Sequence, residues 1–241
     1  MNRIIHKIFF IFFFLSTIKS EDKESIALNY FMQGQYLMNQ GNYALAIIEF
    51  QDALLLDPNA VTLHISLAEA YINIGKDQRS LNHLMIALEL NPVDKEALKM
   101  IGQLFISQKK FEEAEKYFLK LNKIDPENLD FLYTLADLSR LKKQWNTAID
   151  YYIQIYKVNS LAINSLQQAL QISISTGNMN RSDEICELLI DNDPDNLDLL
   201  ETQRDIALYN KDFNKALTII SKIEKKTRSL IKNIYSKELI I

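Results

Sequence analysis

The residue types that do chemistry are few in this chain of 241 residues, and they are scattered. It has three histidines, His6, His64 and His83, and one cysteine, Cys186. A zinc or transition-metal site needs three or four ligands at short spacings on one element or hairpin. Here His6 lies in an apolar N-terminal segment, and His64 and His83 fall on separate helices. A nucleophilic thiol needs a histidine or cation to hold it as thiolate. Cys186 occupies a core position with no histidine placed to pair with it, so a buried, inert thiol is expected. The run Asp191 to Asp198, DNDPDNLD, alternates acids as a calcium loop does. An EF-hand loop has Gly at its sixth position and Glu at its twelfth. Here those places hold Asn196 and Thr202, so the run reads as a helix stop followed by a helix N-cap, with its acids favoured by the next helix dipole. There is no phosphate-binding glycine loop and no GxSxG elbow. Glu112-Glu113 and Lys109-Lys110 read as solvated turn charges. The expectation is a protein with no catalytic residue, no metal and no cofactor.

The N-terminus reads as a targeting segment. Arg3, His6 and Lys7 precede the apolar run Ile8 to Leu15, and STIKS leads into Glu21. A basic head, a short apolar core and a small residue at the exit are the signature of a secretory signal peptide. The apolar core falls short of the ~20 residues that span a bilayer. Residues 1–20 are therefore expected to be cleaved after Ser20, which makes the protein exported, to a periplasm or the medium. The alternative is an uncleaved N-terminal anchor that tethers the rest to a membrane. The whole chain carries a net charge of −4. The first twenty residues hold three bases and no acid, so the remainder is more acidic still. With no basic run, it has no electrostatic footprint for nucleic acid. With one cysteine, its stability must come from packing and not from internal disulfides.

What positions the remaining residues is a repeat. The four prolines are Pro58, Pro92, Pro126 and Pro194, separated by 34, 34 and 68 residues. Ser160 fills the skipped slot and Arg228 the one after Pro194. Twelve residues before each slot stands a small residue: Ala46, Ser80, Ala114, Ala148, Ser182 and Ala216. In five units a large apolar residue lies three before it (Tyr43, Phe111, Trp145, Met179 and Phe213), and four after it comes Phe50, Leu84, Phe118, Tyr152, Cys186 or Ile220. Spacings of three and four share one helical face, and a small side chain is what a close helix crossing requires. In four units a second helix carries Gly34, Ala68, Gly102 or Ala136 at its middle. The Asp-Pro or Asn-Pro steps end four of the units, because the residue before proline avoids the helical region. Six units follow, beginning at Ala27, Val61, Lys95, Leu129, Ile163 and Leu197, after a short linker over 21–26.

This constellation resembles the tetratricopeptide repeat (TPR) family. Tyr30, Gly34, Tyr43, Ala46, Phe50, Ala53 and Pro58 match its signature in the first unit. The next three units match through Tyr71, Gly75 and Ala87, through Gly102, Phe105 and Phe118, and through Leu135, Trp145 and Tyr152. Units five and six depart from it, with Leu170 and Arg204 at the small mid-helix position. The resemblance implies an all-α, right-handed α-solenoid over 27–230, and the apolar tail 231–241 is expected to form a C-terminal capping helix.

The resemblance also implies that the first helix of each unit lines a concave groove for a peptide or helix of a partner protein. The groove positions are then Phe31, Gln35 and Met38, Ile65, Glu69 and Ile72, Lys99 and Gln103, and Tyr133, Asp137 and Arg140. Leu28, Asn73 and Ile106 flank these. Asn164, Gln167, Gln171, Asp198, Glu201 and Asp205 follow in the last two units. The family's carboxylate clamp would fall on Phe31, Gln35, Ser66, Glu96 and Met100, which include no cation. An apolar patch of Phe31, Met38, Ile65 and Ile72 that grades into acids is expected to take an amphipathic segment. If Phe31 and Ile65 are instead half-buried between units, the patch is lost. The function this implies is a non-catalytic scaffold in assembly of an envelope complex. An enzyme is disfavoured because the candidates Glu69, Asp137 and Arg140 are spread over more than one unit, Glu69 apart from the other two.

Overall fold

The computed structural model describes residues 22–238, with side chains beyond Ser229 described only at Ile231. The targeting segment expected over 1–20 lies outside the described residues, as do residues 239–241. All regular structure among the described residues is helical. Helix α1 covers residues 22–39. It is followed by α2 (Tyr43–Leu56), α3 (Val61–Asn73), α4 (Asp77–Leu90), α5 (Lys95–Ser107) and α6 (Phe111–Ile124). Then come α7 (Leu129–Leu141), α8 (Trp145–Val158), α9 (Ile163–Ser175), α10 (Met179–Asn192), α11 (Leu197–Tyr209) and α12 (Phe213–Glu238). Among the described residues, no helix is long and apolar enough to cross a membrane. Two compact units divide between Ile124 and Asp125, the first holding α1 to α6 and the second α7 to α12.

Odd-numbered helices from α3 onward start 34 residues apart, as do the even-numbered ones from α2. Within each unit, an odd helix and the following even helix form an antiparallel hairpin, called here the A and B helices of a repeat. All six small residues of the B helices are buried: Ala46, Ser80, Ala114, Ala148, Ser182 and Ala216. The A helix meets its B helix at a second crossing. An added Cβ at Gly34 would stand 2.3 Å from the Phe50 ring, and one at Gly102 would stand 2.6 Å from the Phe118 ring. Ala68 shares a core with Leu84, and Ala136 with Tyr152. In the fifth repeat the sizes are exchanged, with Leu170 and Cys186 in one buried cluster. A large A-helix residue thus meets a small B-helix one and the interior stays filled, as close packing demands.

The turn inside each hairpin also repeats. Gly41, Gly75, Lys109, Lys143, Gly177 and Lys211 all have positive φ, between 58° and 74°. At each, the next residue's N–H reaches back to a carbonyl five residues earlier, as in Lys76 to Tyr71 and Lys110 to Phe105, both at 2.8 Å. This is the Schellman stop of a helix, which needs a left-handed residue. Between repeats the chain leaves each B helix at Asp57, Asn91, Asp125, Asn159 or Asp193. At the fourth of these there is no proline, and the Asn159 side chain takes the N–H of Leu161 at 3.0 Å to shape the turn.

Two boundaries differ from the expectation. Residues 22–26 are helical and belong to α1, so they form no separate linker. The tail is no separate helix either, because α12 runs unbroken from Phe213 to Glu238. Its would-be turn at Thr227-Arg228 has neither a proline nor an Asx side chain. Thr227 instead bonds back to the Ile223 carbonyl at 2.9 Å, and Arg228 pairs with Glu224 one turn earlier at 3.6 Å. With nothing to stop it, the helix continues.

Candidate partner-binding face

The acid-rich run at 191–198 resolves as a stop and a cap. Asn196 accepts the N–H of Leu199 at 3.1 Å, and Asp195 pairs with Lys226 at 2.5 Å. Cys186 is fully buried, and burial, reinforced by Asp183, pushes its thiol up to about 12. A thiolate there is strongly disfavoured. Among the described residues, no three histidine, cysteine or acidic side chains gather where they could hold a metal.

The fold does bring His64 and His83 together, a pairing that the sequence reading missed. Their Nδ1 atoms lie 3.1 Å apart, and His64 Nε2 lies 3.0 Å from the Pro58 carbonyl. A carbonyl only accepts, so His64 carries its proton on Nε2, and His83 donates from Nδ1 to His64 Nδ1. Tyr71 stacks on His83, Arg79 lies over the Tyr71 ring, and Gln51 donates to the Tyr71 hydroxyl. Burial, then the neighbouring His64, lowers the pKa of His83 from its usual 6.5. The unfolded chain therefore binds a proton near pH 6.5 that the folded chain refuses, so stability falls as the pH drops below that value. Chemical denaturation at pH 7 and at successively lower pH is expected to show this loss, and His83→Gln is expected to flatten it.

The expected groove positions separate by unit. In the first, Phe31, Met38, Ile65 and Ile72 are half-buried and pack against the cores, the Phe31 ring 6.0 Å from that of Phe50. The exposed apolar patch expected from them does not form, because their inner edges complete the helix crossings. Gln35 donates to Ser66 Oγ at 3.0 Å, and Lys99 is half-buried. Glu69 and Gln103 are exposed.

In the second unit the A-helix face is open. Tyr133, Asp137 and Arg140 on α7 are exposed, as are Asn164, Gln167 and Gln171 on α9 and Asp198, Glu201 and Asp205 on α11. Arg140 Nη1 donates to Asp137 at 3.4 Å and to the Tyr152 hydroxyl at 3.2 Å, and that hydroxyl donates to Asp137 at 3.3 Å. The bond to Tyr152, with Asp137 adding to it, raises the guanidinium pKa and pins its direction. Beside it, Leu141 and Trp145 complete a cleft of about 400 Å³ with Asp137 and Arg140. One repeat further on, a second cleft of about 330 Å³ is lined by Ile174, Met179, Thr202, Asp205, Ile206 and Tyr209.

Leu141, Trp145 and Tyr209 were not among the expected site residues. Trp145 reads from its phase as core, yet it is 39% exposed, and Leu141 and Tyr209 are more exposed still. A signal for it was present, since it is the sole tryptophan of the chain.

Comparison with known proteins then decides the family. Tetratricopeptide repeat models match residues 27–60 and 96–128. The chain carries tetratricopeptide repeats. This TPR protein is 33% identical over 96 residues to Photosystem I assembly protein Ycf3 of Prochlorococcus marinus, a match covering 38% of this chain and 55% of that one. It is 26% identical over 159 residues to mouse Tetratricopeptide repeat protein 16, covering 57% of this chain and 20% of that one. The TPR chain thus spans about half, or far less, of the length of these relatives. Among solved structures, Pseudomonas aeruginosa pilF shares the TPR solenoid fold, with a TM-score of 0.53 at 17% identity, over 85% of this chain and 93% of that one.

Proposed function

We propose that this protein is a non-catalytic scaffold that holds a segment of a partner protein on the A-helix face of its second unit. One observation carries the reading. Large apolar side chains stand exposed beside two clefts: Leu141, Ile174 and Tyr209 at the C-terminal ends of α7, α9 and α11, and Trp145 at the start of α8. Exposed apolar surface rimmed by polar groups marks interaction sites, and buried aromatics anchor them. The rim here is Asp137, Asp198, Glu201 and Asp205, with Arg140 the one cation among the named face residues. The partner segment is therefore amphipathic, with apolar side chains for the clefts and basic ones for the rim.

The setting we propose is assembly of an envelope complex, after export. Support for it comes from the basic head and apolar run over residues 1–20 and from a relative whose name describes an assembly factor. Affinity capture from the native host tests the reading. Trp145→Ala with Tyr209→Ala is expected to lose the proteins that the unaltered chain retains, with helical circular dichroism unchanged. Retention of the same proteins by the double variant sinks it.

A further inference from the structure

We propose that the outer edge of α12 receives α1 of a second copy of this chain, so that copies join head to tail. The chain's own interior supplies the template. Between consecutive repeats within each unit, an A helix packs on the preceding B helix: α3 on α2, α5 on α4, α9 on α8 and α11 on α10. Edges of that same kind stand open on α1 and on α12.

On α1, Tyr36 is 61% exposed, whereas its counterparts at the 34-residue spacing, from Ala70 to Ile206, are all buried. Met32 is exposed likewise, whereas Met100 is buried at the same place. On α12, Leu217 is 62% exposed, although Ile47 and Ile149 are buried in its position. Ile220 and Ile223 are only half-buried, yet their counterparts, from Phe50 to Cys186 and from Ala53 to Leu189, are buried in every earlier repeat. Each edge lacks the helix that the other edge offers.

Polar residues on the α1 edge do not spoil the fit. Asn29 and Gln33 are exposed there. Ser165 and Gln203 occupy the same two places in later repeats and are buried against a B helix. The chain therefore already buries a serine and a glutamine at this kind of interface. Charge agrees as well. In the internal register the start of an A helix lies beside the end of the preceding B helix, as the His64 contact with Pro58 shows. In a head-to-tail pair that register places Asp22 and Glu24 of one copy near exposed Lys225 and Arg228 of the other. A heterologous contact of this kind adds copies in one direction, past the dimer.

Sedimentation analysis of the protein as it accumulates in cells, across a concentration series, tests this. The unaltered chain is expected to grow in mass with concentration past the dimer. Tyr36→Glu alone and Leu217→Glu alone are each expected to hold it at monomer mass, since each spoils one edge. Both residues are exposed, so both variants are expected to keep the native circular dichroism. An equal mixture of the two variants is expected to form dimers and nothing larger, because one intact edge of each kind remains. Leu45→Glu, on an exposed position away from both edges, is expected to behave as the unaltered chain. The proposal fails if the unaltered chain stays monomeric throughout. It fails equally if either edge variant still assembles, or if the mixture stays monomeric.

Discussion

Phe50→Ala is expected to destabilise the protein by about 3–5 kcal/mol, read as a drop in the denaturation midpoint. Phe50 is fully buried and belongs to the core formed by α1, α2 and α3. Its ring lies against the backbone at Gly34 and tilts against Phe31. Removing the ring opens a cavity that the rigid helix crossing cannot close, so the loss includes the cavity as well as the transfer term. Leu55→Ala, on an 80% exposed side chain of the same helix, is the control and is expected to change stability by under about 0.5 kcal/mol.

Gly34→Ala is expected to destabilise as well, by about 1–2 kcal/mol, although helix propensity alone argues for a gain of about 0.5–1 kcal/mol. The new Cβ would sit 2.3 Å from a ring carbon of Phe50. That ring is enclosed on all sides and is not the free end of a flexible chain, so the crossing must widen. The sign of the effect depends on Phe50 being present. In a Phe50→Ala background the same substitution is expected to become neutral or stabilising, because the methyl then enters the vacated space. A double-mutant cycle therefore gives a coupling of about 1–3 kcal/mol if the two residues form one crossing. An additive result separates them and removes the packing explanation for the repeat.

Much of this was legible in the sequence because the constraint is steric and repeated. A helix crossing tolerates only a small side chain, so Ala46 and its five counterparts betray the crossing each time, and the prolines give the phase. Other features were not legible, for identifiable reasons. Lys109, Lys143 and Lys211 stand where Gly41, Gly75 and Gly177 stand in the other repeats. The turn geometry was therefore hidden behind residues that do not favour positive φ. Leu170 looked like a departure from the pattern until its partner Cys186 proved correspondingly small. The end of α12 was misplaced because the repeat period marks where a turn could fall but does not supply the residue that makes it.

The candidate face was legible in its phase and not in its exposure. The 34-residue spacing placed Phe31, Ile65 and Tyr133 at equivalent positions, but only Tyr133 is exposed. How far each side chain is covered depends on the volumes of its neighbours on adjacent helices, which one helix's periodicity does not encode. The same limit hid Trp145 and Tyr209.

Hydrogen–deuterium exchange of the protein, alone and bound to its captured partner, tests the central claim most directly. Binding on the second unit's A-helix face predicts slowed exchange in the C-terminal halves of α7, α9 and α11 and at the start of α8, with α2 and α4 unchanged. Protection confined to α2 and α4, with none around Trp145 and Tyr209, contradicts it.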